Sequence, residues 1–327
     1  MALGSLVYTQ GMALCTRSEP LRVESFVNVG IGGFRTVSSL IIGSQSAVLI
    51  DMPLTLPAAN ELAGWIKNTT DKPLVAAFAT HHHVDHYLGA SAILAEFPEA
   101  IFYASQKNVD LIAFEVGPQS ERQRLNLGPG NISEVPAQPV AYNETFFALS
   151  GHDAEPIQLL SNLVFDTVDG TMFWIPSMKT LIAGDSVYHR SMHLWMADTV
   201  TKALSDAWLQ TLNFISTLQP TTIVPGHAGS LDFNAQVDIE HTKNYISFFQ
   251  TEVLAKGENA FTPEEIVVLF DTKFPQEADE TGVISGMFLN NTAGRFGRDS
   301  TRLPDIIDLT VYNSTEALKP WQMGSKA

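Results

Sequence analysis

Thr80-His81-His82-His83-Val84-Asp85-His86 is the stretch that decides how this chain is read. It holds four of the nine histidines, with one carboxylate among them. It directly follows Leu74 to Ala79, an apolar run that reads as a buried strand. Tyr87, Leu88 and Gly89 close the loop, and Leu88 to Phe97 predicts a helix that stops before Pro98. A His-rich loop therefore sits where a buried strand emerges. In extended geometry His81 and His83 point one way and His82 the other. Asp85 and His86 lie where the chain turns and can reach a second point nearby. Imidazole nitrogen and carboxylate oxygen suit zinc, and the arrangement could hold two cations side by side. A tag-like His run would lie at a terminus and lack the preceding strand.

Outward from this loop, the pattern alternates between strands and helices. Leu21 to Val29, Arg35 to Ile42 and Ala47 to Ile50 read as strands. Gly30, Gly32 and Gly33 predict a hairpin between the first two, a candidate flap with Phe26 and Phe34 as apolar cover. Pro57 to Asn68 reads as a helix with Pro near its start, and Ser105 caps another running to Glu115. Gly117 to Pro139, rich in Gly, Pro, Asn and Gln, predicts a long irregular connection of the kind that carries function. Strands follow at Leu159 to Asp166, Thr171 to Ile175, Thr180 to Ala183 and Thr222 to Val224. Helices are expected over Lys202 to Leu218, Asn234 to Leu254 and Phe261 to Asp271. The expected organisation is an N-terminal extension over 1–20, one domain over 21–294 and a tail over 295–327 that packs on it. Strands and helices in each half predict an α/β fold of sheets covered by helices.

Two later stretches join the His-rich loop. Thr180-Leu181-Ile182-Ala183-Gly184-Asp185 is a strand ending in Gly-Asp, and Val224-Pro225-Gly226-His227 is a strand ending in Pro-Gly-His. Each alone reads as a turn. In this order, after His81-x-His83-x-Asp85-His86, they resemble the signature of the metallo-β-lactamase superfamily of hydrolases. The resemblance spans roughly Leu21 to Leu254. It implies a four-layer αββα sandwich with metals at one edge, in the cleft between the sheets. It also implies that His81, His83, Asp85, His86, Asp185 and His227 are metal ligands, with Asp185 bridging two ions. Asp51, at the end of Val48-Leu49-Ile50-Asp51, would support the site from behind.

One departure stands out. The family places a further His, often in Gly-His-Thr, ahead of the Gly-Asp strand, whereas here Val164-Phe165-Asp166-Thr167-Val168-Asp169-Gly170 has none. His152, in Ser150-Gly151-His152-Asp153, is the only histidine between His86 and Asp185. Either His152 completes the first site, or that site is incomplete or uses Asp166. After Asp185, Tyr188 and His193 are candidates to donate to an oxyanion or a leaving group; packing is their other reading.

Two zinc ions per chain are expected, and one is the minimum. A zinc pair lowers the pKa of bound water from about 16 to about 7, and the resulting hydroxide can attack a carbonyl carbon. Asp85 is placed to orient that water and shuttle its proton. The resemblance thus implies a zinc-dependent hydrolase that opens a lactam or lactone of a small molecule, as fungal detoxifying lactamases of the family do. The alternatives are a glyoxalase II type thioesterase, which needs a basic patch for its substrate, an iron-dependent persulfide dioxygenase, and a non-enzymatic relative that has lost a ligand with the missing Gly-His-Thr.

Composition narrows the partners. With 19 Lys and Arg against 35 Asp and Glu, the formal charge is −16, which disfavours nucleic acid and anionic lipid. Hydrophobic residues make up 45%, enough for a real core. A single cysteine, Cys15, excludes an internal disulfide and a Cys-rich metal site. No basic leader segment or bilayer-length apolar run is present, so a cytoplasmic protein acting on a small molecule is expected.

Overall fold

The computed structural model describes residues 21–151, 155–276, 280–300 and 305–318. The expected 1–20 extension, with Cys15, lies outside these residues. The first half runs β1 (Arg22–Val27), β2 (Val37–Ile42), β3 (Ala47–Ile50), α1 (Leu56–Thr69), β4 (Leu74–Phe78), α2 (Ala90–Glu96), β5 (Ile101–Ala104), α3 (Gln106–Leu127) and β6 (Val140–Ala141). The second runs β7 (Phe146–Phe147), β8 (Ile157–Leu163), β9 (Gly170–Ile175), β10 (Thr180–Gly184), α4 (Lys202–Leu218), β11 (Thr222–Pro225), α5 (Ala235–Glu252), α6 (Pro263–Lys273) and α7 (Glu280–Phe296).

Strands β1 to β6 form one sheet in sequence order, antiparallel across β1-β2-β3 and parallel from β3 to β6. The other sheet has the order β11-β10-β9-β8-β7, with only the β10-β11 pair parallel. Period-two alternation sorts the buried side chains onto two faces. Leu40, Ile42, Ala47 and Leu49 pack toward α1 to α3, while Val37, Ile41, Val48 and Ile50 meet Phe173, Ile182 and Val224 of the second sheet. A third cluster joins the second sheet to α4 to α7 around Trp208, Tyr245, Phe249 and Phe270. Three cores between four layers make the αββα sandwich that the resemblance implies. No helix among the described residues is long and apolar enough to cross a membrane.

Caps set the helix starts. Thr55, Ser105, Thr201 and Asn234 each accept a backbone N–H from the first turn, and Thr262 forms a reciprocal pair with Glu265. The expected irregular stretch from Gly117 is corrected here: α3 continues through Gly117 and Pro118 to Leu127. Pro118 removes only the N–H that would reach the Phe114 carbonyl. Phe114 is exposed, so water can satisfy that carbonyl. The chain becomes irregular only after Gly128, whose φ of +89° ends the helix. The expected boundary at 294 falls within α7, and beyond it Leu309 and Leu318 are buried in the core of the second half.

Trp208 is fully buried, and its indole N–H donates to the Ser186 carbonyl at 2.9 Å, tying α4 to the loop after β10. Trp208→Ala is expected to cost about 3–5 kcal/mol in chemical denaturation. Trp208→Phe keeps most of the apolar volume and is expected to cost about 1–3 kcal/mol, chiefly from the unpaired carbonyl.

Candidate metal centre

Four chain segments converge at one edge of the sandwich. The loop after β4 brings His81 to His86, the β8-β9 turn brings Asp166, and the parallel ends of β10 and β11 bring Asp185 and His227. Backbone hydrogen bonds fasten the two sheets there. Val37 N–H donates to Gly226 O at 2.8 Å, Ala228 N–H to Arg35 O at 3.1 Å, and Thr171 N–H to Thr80 O at 2.8 Å. The glycines of Gly-Asp and Pro-Gly-His are required by closeness. At Gly184, with φ of +51°, a Cβ would lie 2.9 Å from Thr80 Cβ; at Gly226 it would lie 1.8 Å from Asp185 Oδ1.

Two groups of potential metal-binding atoms result. His81, His83, Asp166 and Asp185 form one, and Asp85, His86 and His227 the other, each with its atoms within 4.8 Å of one another. Asp185 reaches both, with Oδ1 at 3.3 Å from His86 Nε2 and Oδ2 at 3.2 Å from His227 Nε2. Every imidazole is gripped from outside by one nitrogen. His81 Nδ1 lies 2.9 Å from Thr80 Oγ1, His83 Nε2 2.8 Å from Asp198, His86 Nδ1 2.9 Å from Asp51 and His227 Nδ1 2.9 Å from the Phe34 carbonyl. The other nitrogen of each faces inward. Oriented, outward-donating imidazoles are the usual support of metal ligands. Asp51 anchors this scaffold, since its carboxylate also accepts the Thr80 N–H at 2.7 Å and the Thr80 O–H at 2.9 Å.

The donor set fits divalent cations. His81 Nε2, Asp166 Oδ1 and Asp185 Oδ1 are buried and have no hydrogen-bond partner. Leaving such atoms unpaired is costly, and a cation would satisfy all three. Likewise, His86 Nε2 and His227 Nε2 face each other at 3.2 Å. With both outer nitrogens donating, two lone pairs meet unless a proton or a metal lies between them.

Electrostatics agree. Burial opposes protonation of His83, His86 and His227, but the facing carboxylates outweigh it and hold all three above the ordinary imidazole range. These are Asp166 and Asp198 at His83, Asp185 and Asp51 at His86, and Asp185 and Asp85 at His227. Burial, with His86 and His83 nearby, holds His81 well below that range. Burial pushes Asp166 up to about 6. Burial pushes Asp185 the same way, but His227 and His86 prevail and hold it low.

The remaining expected residues divide. Asp85 stands at the rim, its Oδ2 3.4 Å from His227 Nε2. His82 points away as expected, between Glu115 and Thr167, each at 3.0 Å. Tyr188 is in the site, but its single O–H is directed at Asp185 (2.6 Å) and Asp166 (2.9 Å), and its ring stacks on His227. His193 is not brought to the site: its ring lies between Asp271 (3.0 Å) and Tyr245 (3.2 Å), in the core under α5 and α6. Phe34 of the hairpin lines the cavity, whereas Phe26 packs on Trp65 instead. His152 lies outside the described residues. Among those described, Asp166 takes the place beside His81 and His83.

Over the clusters opens a cavity of about 530 Å³. Phe34, Trp195 and Phe288 form an apolar wall, and α3 presents Glu115, Gln119, Arg122, Gln123 and Asn126 opposite. Sequence reading missed this polar face because the helix was ended at Gly117, although the spacing of 4, 7, 8 and 11 from Glu115 is helical. Asp198, which holds His83, carried no signal at all.

An αββα sandwich thus carries at its edge two His/Asp clusters whose atoms are close enough to hold metal ions. Residues 31–227 match the family model of the metallo-beta-lactamase superfamily, and the chain belongs to that superfamily. A hydroxyacylglutathione hydrolase of Prochlorococcus marinus is 22% identical over 135 residues, 40% of this chain and 51% of that protein. A linear primary-alkylsulfatase of Pseudomonas sp. is 19% identical over 259 residues, 70% of this chain and 48% of its own. The chain spans about half the length of these two curated relatives. Among solved structures, a beta-lactamase domain protein from Burkholderia ambifaria superposes with a TM-score of 0.55 at 14% identity, covering 83% of this chain and 84% of the other. The sec-alkylsulfatase Pisa1 from Pseudomonas sp. gives 0.52 at 14% identity, covering 84% of this chain and 50% of its own. These likenesses share the fold.

Gly226→Ala is expected to displace the Asp185 carboxylate and lower bound metal, read by elemental analysis of protein that still unfolds cooperatively. A second expectation concerns protons. Imidazoles held above their ordinary range, at His83, His86 and His227, keep their protons to higher pH than a free imidazole, so metal must compete with protons to bind. Zinc added to metal-free protein in weak buffer is expected to acidify it, and affinity is expected to fall as pH is lowered. A pH-indicator titration reads both.

Proposed function

We propose that this protein is a zinc-dependent hydrolase holding two ions per chain, and that it opens a cyclic amide or ester, a lactam or lactone, of a small molecule. The observation that carries the reading is Asp185, one carboxylate reaching both His/Asp clusters beneath a cavity of small-molecule size. Zinc bound there would acidify water and draw off negative charge developing on a carbonyl oxygen.

The residues of the chain supply the rest. Asp85 is only partly buried and faces the cavity, where its free acceptor capacity suits it to orient a water and take its proton. Tyr188 acts differently from the donor role its position in sequence suggested. Its proton lies between Asp166 and Asp185, so it holds those carboxylates in place rather than donating to substrate. Phe34, Trp195 and Phe288 line one side of the cavity with aromatic surface, Trp195 set edge-on to Phe288, and would give an apolar contact for a ring.

The relatives supply a second reading. One is named for a thioester substrate and another for alkyl sulfate. The cavity also carries Arg122 and Arg295, basic groups of the kind a thioesterase of the glyoxalase II type requires. Hydrolysis of a thioester or sulfate ester by the same residues is therefore the alternative.

Elemental analysis of protein purified without added metal is expected to find zinc near two per chain; stoichiometric iron instead would sink the hydrolase assignment. A panel of lactams, lactones, thioesters and alkyl sulfates then decides the bond, with ring-opened product expected from the first two. His83→Ala and Asp185→Ala are each expected to abolish turnover and reduce bound metal while the circular dichroism spectrum persists. Normal turnover by both variants would show that the site lies elsewhere.

A further inference from the structure

The four imidazoles of the two clusters do not all face inward by the same nitrogen. His81, His86 and His227 are held at Nδ1, by Thr80, Asp51 and the Phe34 carbonyl, and turn Nε2 toward the cluster carboxylates. His83 is reversed. Its Nδ1 lies 3.3 Å from Asp166 Oδ2, within the cluster of His81, His83, Asp166 and Asp185, and its Nε2 lies 2.8 Å from Asp198 Oδ2. An imidazole that ligates a metal is neutral and carries one N–H. A carboxylate only accepts, so Asp198 claims that N–H at Nε2 and leaves the lone pair on Nδ1, facing the cluster.

The loop after β10 that carries Asp198 is itself fixed. Met196 N–H donates to Thr292 Oγ1 of α7 at 3.1 Å, Thr199 N–H donates to the Met196 carbonyl at 3.0 Å, and Thr201 caps α4. The Thr199 hydroxyl reaches the Asp166 carbonyl at 3.5 Å. Two consecutive residues of one loop therefore touch two members of the same cluster. Asp198 is also no part of a packed core. Its side chain is 27% exposed and lines the cavity with Trp195 and Ala197, whereas that of Asp51 is 2% exposed. Truncating Asp198 thus leaves no buried hole.

We propose that Asp198 is a positioning residue: by accepting the His83 Nε2–H it holds the ring with Nδ1 toward the cluster, and so sets the affinity of that cluster for its metal. This rests on reading the clusters as metal sites. Without the carboxylate, the imidazole can place its proton on either nitrogen and its ring is free to turn, and each such state costs the cluster one donor.

The test uses the full chain, stripped of metal and reloaded with zinc. Two-bond proton–nitrogen correlation spectra of protein with isotope-labelled histidine are expected to show one zinc-bound imidazole protonated at Nε2 and the others at Nδ1. The Nε2-protonated pattern is expected to be lost in Asp198→Ala and kept in Asp198→Asn, whose amide oxygen still accepts. In zinc titrations against a chromophoric chelator, Asp198→Ala is expected to weaken one of two equivalents by about 10–100-fold, and Asp198→Asn to recover most of the loss. Asp271→Ala removes another carboxylate paired with a histidine Nε2, that of His193 at 3.0 Å, away from the clusters, and is expected to bind zinc as the native protein does. Circular dichroism checks that each variant is folded. Native zinc binding by Asp198→Ala overturns the proposal, as does equal weakening in Asp271→Ala. Equal losses in Asp198→Asn and Asp198→Ala assign the effect to charge and overturn the positioning role. A native protein that takes up no zinc sinks the hydrolase reading itself, a result distinct from all of these.

Discussion

Buried lone pairs with nothing to bond dominate this molecule. At the edge of the sandwich, inward imidazole nitrogens and carboxylate oxygens crowd together, and several have no hydrogen-bond partner among the described residues. Burial makes that arrangement expensive, because neither charge nor lone pair can be returned to water. The surrounding structure is organised to hold it in place regardless. Asp51 stands in a left-handed backbone conformation, with φ of +62°, and from there grips Thr80 and His86 together. Gly184 and Gly226 let the β10 and β11 turns close to distances no side chain would permit. Outer partners leave each imidazole only one way to face. Strain, close approach and fixed orientation are all spent on one spot, the mark of preorganisation for a cation.

The strands and the ligand turns were legible because their signals are local. Continuous apolar runs such as Ala47 to Ile50 and, Val75 apart, Leu74 to Phe78 are buried on both faces by the sandwich, and Gly-Asp and Pro-Gly-His mark the ends of two of its strands. Lys202 to Leu218 is bounded by a cap at Thr201 and has a clear apolar stripe, so its ends read true. Other features were not legible. Gly117-Pro118 reads as a helix terminator unless one knows that the affected carbonyl faces solvent. His193 lies close in sequence to Asp185, yet the chain between them turns inward and delivers it to Asp271 and Tyr245. The fit of Asp166 beside His81 and His83 depends on how the β8-β9 turn folds, with Gly170 admitting the Phe165 ring where a Cβ would lie 2.3 Å from it. Asp198 reaches His83 across 115 residues of sequence, a contact that only the tertiary fold creates.

The division of labour in the sandwich follows from its topology. The two sheets bring chemistry to one edge, where turns are short and backbone hydrogen bonds lock them. The walls above come from helices α3 and α7 together with Phe34 of the hairpin and Trp195 of the loop after β10. The candidate metal-binding side chains thus come from strands and turns, and much of the cavity lining from helices. Relatives named for different substrates on one shared fold accord with that separation.

The candidate ligands in each half of the centre come from opposite sheets: His81, His83, Asp85 and His86 follow β4, while Asp166, Asp185 and His227 follow strands of the second sheet. An ion seated among them is a rivet through the seam of the molecule. Without it, the side chains at the join rest on the imidazole–carboxylate pairs His83–Asp166, His86–Asp185 and His227–Asp185. A ligand that binds only the folded chain stabilises it, so an ion held by donors from both sheets would tie the resistance of the whole sandwich to unfolding to the concentration of that ion.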